Sequence, residues 1–122
     1  MGLDMFIEKQ TTFFDSEIEV KVDGEVVDFG HVITITSAVG HWRNFHPLHD
    51  WFVRNVQNGA NDHKRYWILE DDLREVTAFL EKLRMDEPEW MEECNGAITE
   101  INKILMDERN TSQFVTFYYQ AI

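Results

Sequence analysis

Residues 38–59 read AVGHWRNFHPLHDWFVRNVQNG, and the parsing of this stretch decides the fold around it. It holds two of the four Trp, three of the five His and one of the two Pro. Pro47 fixes its own φ and lacks an N–H, which suits the first turn of a helix. Leu48, Trp51, Phe52, Asn55 and Val56 then recur at the spacing of one helical face. Gly59 supplies a left-handed stop. The spacing predicts a short helix over residues 47–58, reached through an aromatic, histidine-rich turn.

Working outward, the flanks have different periods. Toward the N-terminus, Leu3, Met5 and Ile7 alternate with Asp4, Phe6 and Glu8, a strand pattern. Ile18, Val20 and Val22 alternate with Glu17, Glu19 and Lys21, and Asp23-Gly24 then leads into Glu25-Val26-Val27. An Asp-Gly between two alternating runs predicts a tight hairpin. Residues 32–36, VITIT, are β-branched throughout and predict a strand buried on at least one face. Toward the C-terminus, Tyr66, Trp67 and Ile68 form a short apolar link with strand character. Glu70, Asp71 and Asp72 sit where a helix N-terminus favours acids. Leu73, Val76, Phe79 or Leu80, and Leu83 form a helical stripe that Arg84 closes. Asp86 is placed to cap a third helix, with Pro88 in its first turn. That helix runs through Trp90, Cys94, Ala97 or Ile98, Ile101, and Ile104 or Leu105, with Gly96 weakening it. Residues 110–113 read as a turn and residues 114–119, FVTFYY, as a last strand.

Strands, then helices, then a strand predict an α+β fold. N-terminal antiparallel strands with a hairpin precede three helices, and a C-terminal strand returns to the sheet. The 122 residues form one domain, 1–122, with a hydrophobic share of 43%, enough for a core. No apolar run approaches the ~18 residues needed to span a bilayer, and no signal peptide or myristoylation pattern is visible. The single Cys94 excludes an internal disulfide and fits a reducing, cytoplasmic setting.

The net charge is −12. Residues 70–108 carry 13 acids and 4 bases, whereas residues 31–69 carry 2 acids and 4 bases. Such a field disfavours direct contact with nucleic-acid phosphates and attracts basic protein partners. It also serves simple solubility.

All five His, at positions 31, 41, 46, 49 and 63, lie within residues 31–69, where bases outnumber acids. His46 and His49 flank Pro47 and could reach one point, and Asp4, Asp50, Asp62 or His63 could complete a zinc site. The competing reading makes these imidazoles hydrogen-bond partners of aromatic neighbours. No HExxH or paired CxxC spacing sharpens the metal reading. Cys94 lies in a helical stripe and reads as core. Ser16, Ser37 and Ser112 sit in no nucleophile elbow, and Glu92-Glu93 and Asp71-Asp72 point in different directions on a helix. The glycines form no phosphate loop, so no catalytic residue is assigned. Trp42 is expected to pack in the core and Arg43 to pair with a carboxylate or bind an anion. The aromatic tail would offer a binding strip if it lay at a sheet edge.

Several blocks, MGLDMF, GHWRNFHPLHDWFVRNVQNG, YWILEDDL and FYYQ, resemble a family of small proteins from bacteriophages and their bacterial hosts. The most specific part is Trp42, Arg43, His49, Trp51, Phe52 and Val53. In that family Asn commonly stands where this chain has His46, and Cys where it has His63. The Cys-to-His exchange trades one zinc ligand for another. The resemblance thereby favours Asp4, His49 and His63 as donors to a structural zinc ion, with His46 in addition. It implies no particular reaction. A phage setting implies an anti-defence role, such as an anti-CRISPR protein that occupies a basic nucleic-acid groove on an effector. The carboxylates expected to face such a partner are Glu70, Asp71, Glu75, Glu89, Glu92 and Glu93. Two alternatives stand beside this: a metal-dependent hydrolase using the His cluster, and an accessory phage protein that oligomerises through aromatic edges.

Overall fold

The structure, a computed structural model, describes residues 2–14, 19–29, 32–111 and 114–122. The expectations for Ser16, Ile18, His31 and Ser112 fall outside these residues. The fold is α+β, as expected. Four antiparallel strands form one sheet in the order β4-β1-β6-β5: β1 (Asp4–Phe14), β4 (Val32–Arg43), β5 (Tyr66–Ile68) and β6 (Val115–Ala121). A separate hairpin, β2 (Glu19–Val22) and β3 (Glu25–Phe29), lies between β1 and β4 in sequence. Its Asp23 and Gly24 both take positive φ, +53° and +82°, as a tight hairpin turn demands.

The C-terminal strand lies beside β1 in the interior of the sheet, with Asp4 and Ile122 exchanging backbone hydrogen bonds of 3.0 and 2.8 Å. It is therefore no edge, and the aromatic tail offers no edge strip. Its side chains alternate, with Phe117, Tyr119 and Ala121 buried. They meet Met5 and Ile7 of β1 and Ile68 of β5 on one face of the sheet.

Residues 38–43 correct the expectation of a turn. They continue β4, because the run pairs with β1 all the way to Asp4↔Arg43. A bulge makes this fit: Ile7 faces Gly40 and Glu8 faces Ala38, so Val39 is the extra residue. The turn itself is only Asn44 and Phe45, with Asn44 at φ +57° and its side chain accepting from the Leu3 N–H at 2.8 Å. The expectation that residues 32–36 are buried on one face fails where side chains are described. Thr34, Ile35 and Thr36 are exposed, Ile35 by 55%, because β4 is an edge strand whose start runs beyond the reach of β6.

Three helices cover the buried face. Helix α1 (His46–Asn55) starts one residue before the expected Pro47, which lies in its first turn, and ends three residues early; Asn58 and Gly59 then take positive φ. Helix α2 (Glu70–Asp86) buries Leu73, Val76, Leu80 and Leu83. Asp72 closes its first turn by accepting from the Leu69 N–H at 2.8 Å. Asp86 does not cap the third helix; it ends α2, and a 3-10 turn (Pro88–Trp90) leads into α3 (Met91–Met106). Cys94, Ala97, Ile98, Ile101 and Ile104 of α3 complete the core. Burial pushes the Cys94 thiol pKa up, as befits a core residue. Among the described residues no helix is long and apolar enough to cross a membrane.

Two glycines give opposite expectations. A Cβ at Gly40 would lie 2.6 Å from Trp42 Cη2, so Gly40→Ala forces the indole aside. We expect urea denaturation to show a loss of about 1–3 kcal/mol, typical of overpacking. A Cβ at Gly96 meets nothing within 4 Å, and Gly96→Ala should stabilise α3 by about 1 kcal/mol.

Candidate functional site

The mid-chain histidines are held by hydrogen bonds. His49, on the first turn of α1, is buried; its Nδ1 lies 2.7 Å from the Tyr119 hydroxyl and its Nε2 lies 2.9 Å from Asn61 Oδ1. An amide oxygen only accepts, so Nε2 carries the proton and donates to Asn61, while Tyr119 O–H donates to Nδ1. Tyr119 is stacked on Phe52 with centroids 3.9 Å apart. Burial, with Asp50 adding a smaller push, holds its phenol far above the ordinary pKa, so it stays a donor. This set pins α1, the loop after it and β6 together.

Of the other three expected metal donors, His63 and Asp4 have partners of their own. His63 Nδ1 lies 3.1 Å from the Ala121 carbonyl and donates to it. Asp4 Oδ1 lies 3.2 Å from His41 Nε2 and 4.0 Å from Arg43 Nε. His46 is exposed at the start of α1. Asp4 and His63 do share one end of the sheet, since Asp4 pairs with Ile122 and His63 binds Ala121. Yet no group of three or more His, Cys, Asp or Glu among the described residues is placed to hold a metal ion. A zinc ion on His49 would have to displace Tyr119 or Asn61 from its ring.

The expected partner-binding carboxylates are all exposed, but they form two groups at opposite ends of the helical pair. Glu70, Asp71 and Glu75 lie on the first turns of α2, where Glu70 is paired with Arg74. Glu89, Glu92 and Glu93 lie where α2 turns into α3, beyond the far end of α2, which at 1.5 Å per residue is roughly 25 Å from Glu70. Asp86 and Glu87 join this second group, and none of the five is in an ion pair among the described residues. A cavity of about 300 Å³ opens beside them, lined by Phe79, Lys82, Leu83, Asp86 and Glu87. Met85 and Met91 stand exposed at the same end, at 79% and 46%. The sequence pointed to Glu89, Glu92 and Glu93 but not to this apolar floor. Phe79 was counted as core, and the methionines fell off the helical stripes.

The uncovered face of the sheet was also missed. It carries Phe6 stacked on His41 at 4.5 Å, the Arg65 guanidinium 4.2 Å over the Tyr118 ring, and Trp67 exposed by 61%. Arg65 also pairs with Glu8 at 3.3 Å. The available signal was Phe6, an aromatic in the polar phase of β1. Arg43 reaches Asp4, in line with the carboxylate pairing expected of it.

The His49 set makes a pH prediction. An unfolded tyrosine titrates near 10.0, and Tyr119 in the fold titrates well above that. Stability from this group is complete below about pH 10 and falls as pH rises further, by up to about 1.4 kcal/mol per pH unit. Tyr119→Phe should remove that part of the slope. At neutral pH it should cost about 1–3 kcal/mol, because His49 Nδ1 loses its donor. Chemical denaturation of both proteins across the alkaline range tests this. No family model, curated protein or solved structure matches the chain.

Proposed function

We propose that the chain is a protein-binding inhibitor that docks the acidic α2–α3 connection onto a basic, partly apolar surface of a nucleic-acid-handling host protein. One observation carries the reading: Asp86 and Glu87 line a cavity together with Phe79, Lys82 and Leu83, and exposed Glu89, Glu92 and Glu93 follow them in the chain, none of the five in an ion pair among the described residues. A lysine or arginine side chain suits such a place, because its methylene stem can lie on the apolar floor while its charged head meets the rim. Exposed methionines beside acids adapt to varied partner shapes. The same carboxylates would compete with phosphate for the arginines and lysines of a nucleic-acid groove. The resemblance to phage proteins directs the search toward CRISPR effectors first. Glu92 and Glu93 sit on the first turn of α3, where the helix dipole favours negative charge, so holding acids there costs the fold little.

Binding to purified CRISPR effector complexes and to other host nucleic-acid-handling proteins tests the proposal. The triple variant E89K/E92K/E93K should weaken capture roughly tenfold or more, equivalent to about 1.4 kcal/mol. The variant E70K/D71K/E75K, at the far end of the helices, should change it little beyond the loss of long-range attraction. Capture should also weaken steeply with salt. Equal loss from the two variants, or capture indifferent to salt, contradicts the reading.

A further inference from the structure

We infer that β4 is a self-association edge through which two copies of this chain pair antiparallel into one continuous sheet. The hydrogen-bond phase of β1 shows which backbone groups are free. Thr12 donates to the Phe114 carbonyl, and Asp4 and Ile122 exchange bonds, so even-numbered residues of β1 turn toward β6. Odd-numbered residues therefore bond to β4, through Thr11↔Ile35 and Lys9↔Ser37. The backbone N–H and C=O of Thr34 and Thr36 consequently point away from the sheet, at an edge with no other strand among the described residues. Natural edges are usually blunted by charge, proline or brevity. The opposite edge, β5, is three residues long. β4 runs for twelve, and its first nine residues, VITITSAVG, hold no charge and no proline.

Charge selects the occupant. In a chain of net charge −12, a second copy is repelled almost everywhere. On β4 it meets a strand that carries no charge over residues 32–38, so none is opposed to its like within that stretch. A basic partner would find no counter-charge there. The stretch before the bulge, residues 32–38, is centred on Ile35. A two-fold axis at Ile35 makes Thr34 of each copy exchange hydrogen bonds with Thr36 of the other. It also places the two exposed Ile35 side chains against one another in a pair without hydrogen bonds, where side chains approach most closely. The helical layers of both copies then lie on the same side, leaving the two α2–α3 connections outside the interface.

Sedimentation equilibrium of the full chain over a wide concentration range tests this. The wild type should show a monomer–dimer equilibrium that strengthens with salt, because screening removes repulsion between two acidic bodies. Thr36→Pro removes an outward N–H that has no strand to bond to among the described residues, and Ile35→Lys opposes two cations across the axis. Each should weaken the dimer roughly tenfold or more, while circular dichroism and melting show the monomer intact. A wild type that stays monomeric throughout, a dimer that weakens with salt, or a dimer untouched by both substitutions overturns the inference. The opposite salt response separates this test from that of the acidic connection.

Discussion

The fold depends on one pairing, that of the first strand with the last. β1 and β6 meet antiparallel in the middle of the sheet across nearly the whole sequence, and β4 and β5 add to their outer sides. Closing so long a loop costs entropy that only the completed core offsets. Once closed, the period of two along β1 sets several things together. Met5 and Ile7 face the helices, while Phe6 and Glu8 face out. Backbone groups alternate between β6 and β4 in the same rhythm, and that rhythm decides which groups on β4 remain unbonded.

The helices complete one side and leave the other open. Their apolar stripes are used up in the core, so their outward faces are free to be acidic. Glu70, Asp71, Glu92 and Glu93 sit where helix N-termini favour acids, whereas Asp86 and Glu87 stand at the C-terminal end of α2. The chain thus has two unlike faces: a helical layer ending in carboxylates beside a cavity with Phe79 and Leu83 in its lining, and a sheet face that carries Phe6, His41, Tyr118 and Trp67 with the Arg65–Glu8 pair. On the helical side, the His49–Tyr119–Asn61 set holds α1 and the loop after it to the central strand.

Much of the architecture was legible because it follows from local period. The Asp23-Gly24 turn, the stripes of α2 and α3, and the return of the C-terminal strand are all written in spacing or turn chemistry. Residues 38–43 were not legible. His41, Trp42 and Arg43 look like a loop, and only the tertiary pairing with Asp4, Met5 and Phe6 makes them a strand. The bulge at Val39 hides the alternation by adding one residue. The burial of residues 32–36 was overestimated because β-branched composition reports strand propensity and not position within a sheet. As for the sites, the sequence gathers histidines in one segment, but chain proximity does not dictate where imidazoles point. Two of the rings found nearer partners, a phenol and an amide for His49 and a carbonyl for His63, while His46 is exposed. The apolar cavity at the α2–α3 connection arises from how two helices meet, which no single stripe encodes.

Residue-resolved amide hydrogen exchange on dilute, monomeric protein tests the central pairing most directly. The account predicts that the amides of β1 and β6 exchange together, at the slowest rate in the molecule. Along β4, Ile35 and Ser37 should be protected while Thr34 and Thr36 exchange freely. Fast exchange in β6 beside slow exchange in β1, or equal protection of Thr34, Ile35, Thr36 and Ser37, would contradict it.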